Sequence, residues 1–169
     1  MRRPLATAAL ALMLIAGSAA GTTSGEPPAV RWQGWDAGLK DAAKVQRPVL
    51  IDVYTGWCGW CKRMDHDVYS RADVRDYLAR RFVTVKLDAE ASDAGVYDGK
   101  SYTSATLAGK FRVTGYPTTI FLRANGEHLV NVPGYVPADR FLLLLRYIGE
   151  GAMDRDVSFD DFVKSESAH

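Results

Sequence analysis

Cysteine is nearly absent from this chain: two occur in 169 residues, at positions 58 and 61. Histidine is as sparse, with only His66, His128 and His169. A protein zinc site needs four ligands, or three and a water. On a helix His66 lies about 140° around from Cys61, His128 follows a turn and His169 ends the chain, so the sequence predicts no metal site. Neither charge sign is in excess, with 21 basic and 20 acidic residues. The densest basic points, Lys62-Arg63 and Arg80-Arg81, read as solvated faces. A nucleic-acid partner is therefore not expected. No internal repeat and no sign of a second domain is found.

The first twenty residues differ from the rest. Arg2 and Arg3 precede the apolar run LATAALALMLIA and the small residues GSAA. This is the layout of an export signal, and the run is short of the ~20 residues that cross a bilayer. The expected organisation is a signal peptide over 1–20, a flexible leader over 21–29, one domain over 30–150 and an extension with a short helix over 151–169. No cysteine near the cleavage point offers a lipid anchor. Disulfides persist in the oxidising compartments that export reaches.

The cysteines stand in WCGWCK, residues 57–62. A structural staple is a poor reading, because stabilisation by a disulfide grows with the length of the loop it closes. A mature domain of about 150 residues also builds its own core. The run PVLIDVY, 48–54, is short, β-branched and apolar, as a buried parallel strand would be. A helix is expected from near Cys58 to Arg81, broken near Ser70. That places Cys58 at a strand-to-helix junction, where unpaired backbone N–H groups favour thiolate over thiol. Cys61 lies one turn deeper on the same face. The expected pair is an exposed nucleophile, Cys58, and a shielded resolving thiol, Cys61.

Further elements are a helix over 35–45, a strand over 82–87, a polar excursion over 89–106 and a short helix over 107–111. A strand over 114–122 pairs through a two-residue Asn125-Gly126 hairpin with 128–132. A helix over 137–148 and a last helix capped by Ser158 complete an α/β layout with one sheet between helices.

Asp52 interrupts the buried strand. An unpaired charge there is costly, so it shifts its pKa or finds a partner. It is either a proton acceptor for Cys61 or a strand-face carboxylate that reaches solvent or caps a neighbour. Lys86 in TVKLD either pairs with Asp52 or is a solvated strand-end lysine. Asp65, four residues after Cys61, is either a second acid near the thiols or a surface residue. Trp57 and Trp60 offer apolar surface to a protein segment, with core packing of Trp57 as the alternative.

WCGWCK at the strand-to-helix turn, Asp52 six positions upstream, Lys86 on the next strand and Gly115-Tyr116-Pro117-Thr118 together resemble the thioredoxin family over about residues 30–150. The pieces DVYTGWCGWCKRM, VKLDA and GYPTTIFLRANGE are similar to its exported reductases and to the C-terminal domain of the transmembrane thiol-disulfide interchange reductase. That branch tends to carry an acid at the position of Asp65. The resemblance implies a thioredoxin fold, with a central mixed β-sheet flanked by helices. It implies a cis Pro117 beside Cys58, a Tyr116 backbone that pairs with an extended substrate, and a groove shaped by Gly134. The Gly59-Trp60 dipeptide between the cysteines departs from the Gly-Pro of cytosolic thioredoxin.

Strong oxidants place a histidine in this dipeptide, and a stabilised reduced form makes a dithiol oxidising. Trp60 supplies no positive charge. The expected protein is therefore a periplasmic thiol-disulfide oxidoreductase that reduces protein disulfides. It would act as a monomer, need no bound cofactor and draw electrons from a membrane dithiol carrier. An oxidase or isomerase, or a non-catalytic binding module, are the alternatives.

Overall fold

The computed structural model describes residues 29–92 and 94–168. The expected signal peptide, and the leader save for Ala29, lie outside the described residues. Among the described residues no helix is long and apolar enough to cross a membrane.

The described residues open with a short strap, followed by α1 (Trp35–Val45) and β1 (Val49–Tyr54). The helix α2 (Gly59–Met64), a π-helical turn (Asp65–Tyr69) and α3 (Ala72–Arg81) lead to β2 (Val83–Asp88). A hairpin follows, β3 (Ala94–Tyr97) and β4 (Lys100–Thr103), and then α4 (Ser104–Lys110). The chain returns through β5 (Thr118–Leu122) and β6 (His128–Pro133), then α5 (Ala138–Gly149), a 3-10 turn (Met153–Arg155) and α6 (Phe159–Ser167).

The main sheet has the order β2-β1-β5-β6. β1 and β2 are parallel, while β1–β5 and β5–β6 are antiparallel. This mixed sheet between helices is the thioredoxin fold. Strand side chains alternate between faces, and the alternation divides the core in two. Val49, Ile51, Val53, Val85 and Ile120 join Trp35 and Leu107 on one face. Leu50 and Phe121 join Met64, Val68, Phe141 and Leu145 on the other. By the same alternation Asp52 points with Leu50, toward the face covered by the π-helical turn, α3 and α5.

Several expectations needed correction. The 89–106 excursion holds its own two-stranded sheet, β3–β4. Asp98 and Gly99 both have positive φ, as a two-residue turn with the twist of a hairpin requires. The hairpin is held on α1: Trp35 Nε1 donates to the Val96 carbonyl at 3.0 Å, and the Val96 N–H donates to Asp36 Oδ1 at 2.8 Å. Gly95 is required there, since a Cβ would stand 2.5 Å from the Trp35 ring. The β5–β6 connection is longer than the expected two-residue hairpin. Arg123 accepts from Gly126 N–H and donates to Glu127, and only Gly126 has positive φ. Ser158 caps α6, accepting from the Asp161 N–H at 3.1 Å. The tail returns onto α5, with Phe159 and Phe162 edge-on to Tyr147 and the Tyr147 hydroxyl donating to the Val157 carbonyl at 2.7 Å.

Candidate functional site

β1 ends at Tyr54, and Thr55 to Trp57 turn the chain into α2. Cys58 is the N-cap of α2, with extended backbone. Its sulfur accepts a hydrogen bond from the Cys61 N–H at 3.1 Å. An N-cap acceptor satisfies one of the helix's unpaired donors, and a thiolate does so more strongly than a thiol. Cys58 and Cys61 form a disulfide with Cα atoms 5.3 Å apart. The expected contrast between an exposed and a shielded cysteine is not found in this oxidised pair. Both are 4% exposed, because the Cys58 sulfur folds back onto the helix start instead of projecting outward.

The rim around the disulfide is aromatic. Trp57 is 68% exposed and Trp60 56% exposed, so the core-packing alternative for Trp57 is ruled out. Trp57 lies edge-on to Tyr116 at 6.1 Å between ring centroids. On the other side Trp60 tilts against Tyr135 at 5.6 Å. Arg63 holds these two rings together, with its guanidinium 5.5 Å from the Trp60 centroid and 5.7 Å from that of Tyr135. Asp67 fixes Arg63 in turn, at 3.0 Å.

The Tyr116–Pro117 bond is cis, the geometry implied by the resemblance. The Pro117 carbonyl accepts from the Gly134 N–H at 2.8 Å. Gly134 has φ 83°, a conformation that favours glycine. A Cβ on Gly59 or Gly134 would meet nothing within 4 Å, so both leave open space beside the rim.

Behind the rim three polar side chains stand in one row across the sheet. Asp52 is in register with Lys86 on β2 and with Thr119 on β5. Asp52 is 2% exposed. Lys86 Nζ lies 3.5 Å from Asp52 Oδ2 and 2.6 Å from Asp65 Oδ1, so the solvated-lysine alternative fails. Burial pushes the Asp52 carboxyl up to about 6, with the nearby Asp65 charge adding to the rise and Lys86 opposing it. The carboxyl stays raised because desolvation outweighs one imperfect ion pair.

The Tyr69 hydroxyl lies under the same carboxyl and is pushed well above its ordinary range, by burial first and by Asp52 second. Asp52 Oδ1, Tyr69 OH and Thr119 Oγ1 are buried, and none has a partner at good hydrogen-bond geometry among the described residues. The Asp65 N–H donates to the Cys61 carbonyl. Asp65 thus stands one helical turn after Cys61, and its carboxylate and that of Asp52 share the Lys86 ammonium.

The structure adds Tyr135, Arg63 and Glu90 to the rim, and Tyr69 and Trp32 to the buried side. Trp57 Nε1 donates to Glu90 Oε1 at 2.9 Å. His66 is exposed and turned to Asp67, away from the disulfide.

Comparison with known proteins agrees with this geometry. The family model of the thioredoxin-like domain matches residues 35–149. A thiol:disulfide interchange protein DsbD from Ralstonia nicotianae is 35% identical over 112 residues, covering 66% of this chain and 17% of the relative. The chain thus spans about a sixth of that relative's length. Among solved structures, a thioredoxin-fold protein from Helicobacter pylori matches with a TM-score of 0.63 at 24% identity, over 78% of this chain and 91% of that one. The reduced DsbD C-terminal domain of Neisseria meningitidis matches with a TM-score of 0.50 at 23% identity, over 65% and 90%. The disulfide at a helix N-cap, the cis-proline turn and the family match over most of the chain together identify it as a member of the thioredoxin-like family of thiol-disulfide oxidoreductases.

Proposed function

We propose that this is an exported, periplasmic reductase of protein disulfides. The Cys58 thiolate attacks one sulfur of a substrate disulfide, forming a mixed disulfide and releasing the other sulfur as thiolate. Asp52 takes the proton of Cys61. The Cys61 thiolate then attacks Cys58 Sγ, breaks the mixed disulfide and expels the second substrate thiolate. The Cys58–Cys61 disulfide that remains is reset by two electrons and two protons from a membrane dithiol donor.

The observation that carries this reading is the Cys61 N–H bond to Cys58 Sγ, set beside the raised, buried carboxyl of Asp52 on the strand that leads into the cysteine turn. The first stabilises the attacking thiolate. The second gives a base that titrates near neutrality, where a general base is most effective. Tyr116 and Pro117 would offer backbone to an extended substrate strand, with Trp57 and Trp60 on either side and Gly59 and Gly134 keeping the groove open. Lys86 and Asp65 would tune Asp52. The redox domain would be residues 30–150, active as a monomer, with 151–169 as a packed extension. The export layout of residues 1–20 supports the location.

The reducing direction rests on Gly59-Trp60, which supplies no charge to hold the thiolate. It is tested by equilibrating the oxidised protein with glutathione. A potential near −270 mV, about that of thioredoxin, supports a reductase. A potential above about −180 mV would overturn it in favour of an oxidase or isomerase.

A further inference from the structure

Lys86 has two aromatic neighbours besides its two carboxylates. Its ammonium lies 5.0 Å from the Trp32 ring centroid and 5.0 Å from that of Tyr54. Tyr54 ends β1, two residues after Asp52. Trp32 comes from the strap before α1.

The strap is tied to the outer edge of β2. Gln33 N–H donates to the Thr84 carbonyl at 3.0 Å, and Lys86 N–H donates to the Gln33 carbonyl at 3.0 Å. The Thr84 hydroxyl donates to the Arg31 carbonyl at 2.7 Å. These bonds hold Trp32 over the end of the polar row. Its indole also stands edge-on to Tyr69 at 4.9 Å. Trp32 thus touches both Lys86 and Tyr69, the two side chains that flank the Asp52 carboxyl.

We propose that Trp32 is a positioning residue of the redox centre, whose indole closes the Asp52–Lys86 pair off from water. A ring over an ammonium holds it by cation–π attraction. A ring of this size also displaces the solvent that would otherwise reach the carboxyl. The groups that face Asp52 are Lys86 from β2, Asp65 and Tyr69 from the π-helical turn, and the uncharged Thr119 from β5; Tyr54 shares its strand. Desolvation is the largest influence on Asp52. Lys86 keeps its contact to Asp65 without Trp32, so hydration decides the outcome when the indole is removed. The inference rests on the reading of Asp52 as the base for Cys61 for its catalytic consequence, though not for its structural one.

The test is a carboxyl-carbon NMR titration of Asp52 in the oxidised full-length protein, beside the pH profile of disulfide reduction. Trp32→Ala should move the Asp52 midpoint down by roughly one pH unit, towards the ~3.9 of a solvated aspartate. The acid limb of the reduction profile should move with it. Trp32→Phe keeps an apolar ring in place and should leave the midpoint near its original value. Where Trp32→Ala does not fold, Trp32→Gln fills the space but admits water, and should give the same downward move. A midpoint that stays or rises in the Ala or Gln variant overturns the proposal. Asp52→Asn separates the two readings. If it leaves the reduction profile unchanged, Asp52 is not the base, and the NMR titration still decides whether Trp32 seals it.

Discussion

The Trp57 indole donates to Glu90 Oε1 at 2.9 Å, joining the residue before Cys58 to the loop that follows β2. An exposed tryptophan held by one hydrogen bond presents a fixed face instead of sampling rotamers. Glu90→Ala should leave stability within about 0.5 kcal/mol, as exposed substitutions do. The KM for a protein disulfide should rise severalfold with kcat little changed. Trp57→Ala, which removes the face itself, should cost about tenfold in kcat/KM, or about 1.4 kcal/mol. Steady-state kinetics on a disulfide-containing protein decides the matter, and an unchanged KM in both variants would remove Trp57 from substrate binding.

Asp52 should make the oxidised protein less stable as pH rises. Below its ordinary value of 3.8 the carboxyl is protonated in both the folded and unfolded chains. Between 3.8 and about 6 the unfolded chain ionises first, so the unfolded state binds fewer protons and stability falls. Above about 6 the loss is complete, at about 3 kcal/mol for a shift of this size. Asp52→Asn should therefore stabilise the oxidised protein at pH 7 by up to that amount, in which the opposing pull of Lys86 is already contained. The two proteins should converge near pH 3. Urea unfolding at the two pH values is the check, and equal midpoints at pH 7 would contradict the burial argument.

Cys61→Ser should trap what Cys58→Ser cannot form. With Cys58 present and no resolving thiol, a substrate disulfide is attacked and the mixed disulfide persists. Non-reducing electrophoresis should show covalent adducts in Cys61→Ser that vanish on adding dithiothreitol. Adducts in Cys58→Ser instead would reverse the roles of the two sulfurs.

Phe162 anchors the tail. It is buried against Tyr147, and Phe162→Ala should cost about 3 kcal/mol, at the lower end for a buried phenylalanine. The reduction potential should not change, because what α6 packs on is α5. A potential that moves with Phe162→Ala would show the tail to be coupled to the redox centre.

Much of this was legible in the chain. The β1 strand shows as an unbroken apolar run with one carboxylate in it, and that contradiction pointed to Asp52. The helices at 35–45 and 138–149 show through apolar spacing and the flanking Pro48 and Pro137. The β3–β4 hairpin is hard to see in the sequence, although Asp98-Gly99 is a strong turn signal, because its strands are short and half polar. Glu90, Tyr135 and Trp32 were not legible, for a different reason. Each acts through a contact 33 or more residues away in the chain, or, for Trp32, across 37 and 54 positions, and nothing local marks such a contact. The π-helical turn was equally hidden, since DHDVY carries no breaker.

The strap over β2 gives the residues just ahead of α1 an unusual weight. Residues ahead of a first helix are easily taken as passive. Here Gln33 is bonded to both Thr84 and Lys86, and its neighbour Trp32 lies against the lysine that faces Asp52. A cut placed at α1 would remove Trp32 and the strap bonds to β2, and with them the proposed cover of the Asp52–Lys86 pair, while leaving both cysteines in place. If Asp52 is the base and Trp32 its seal, such a shortened protein should show the acid limb of its reduction profile moved downward.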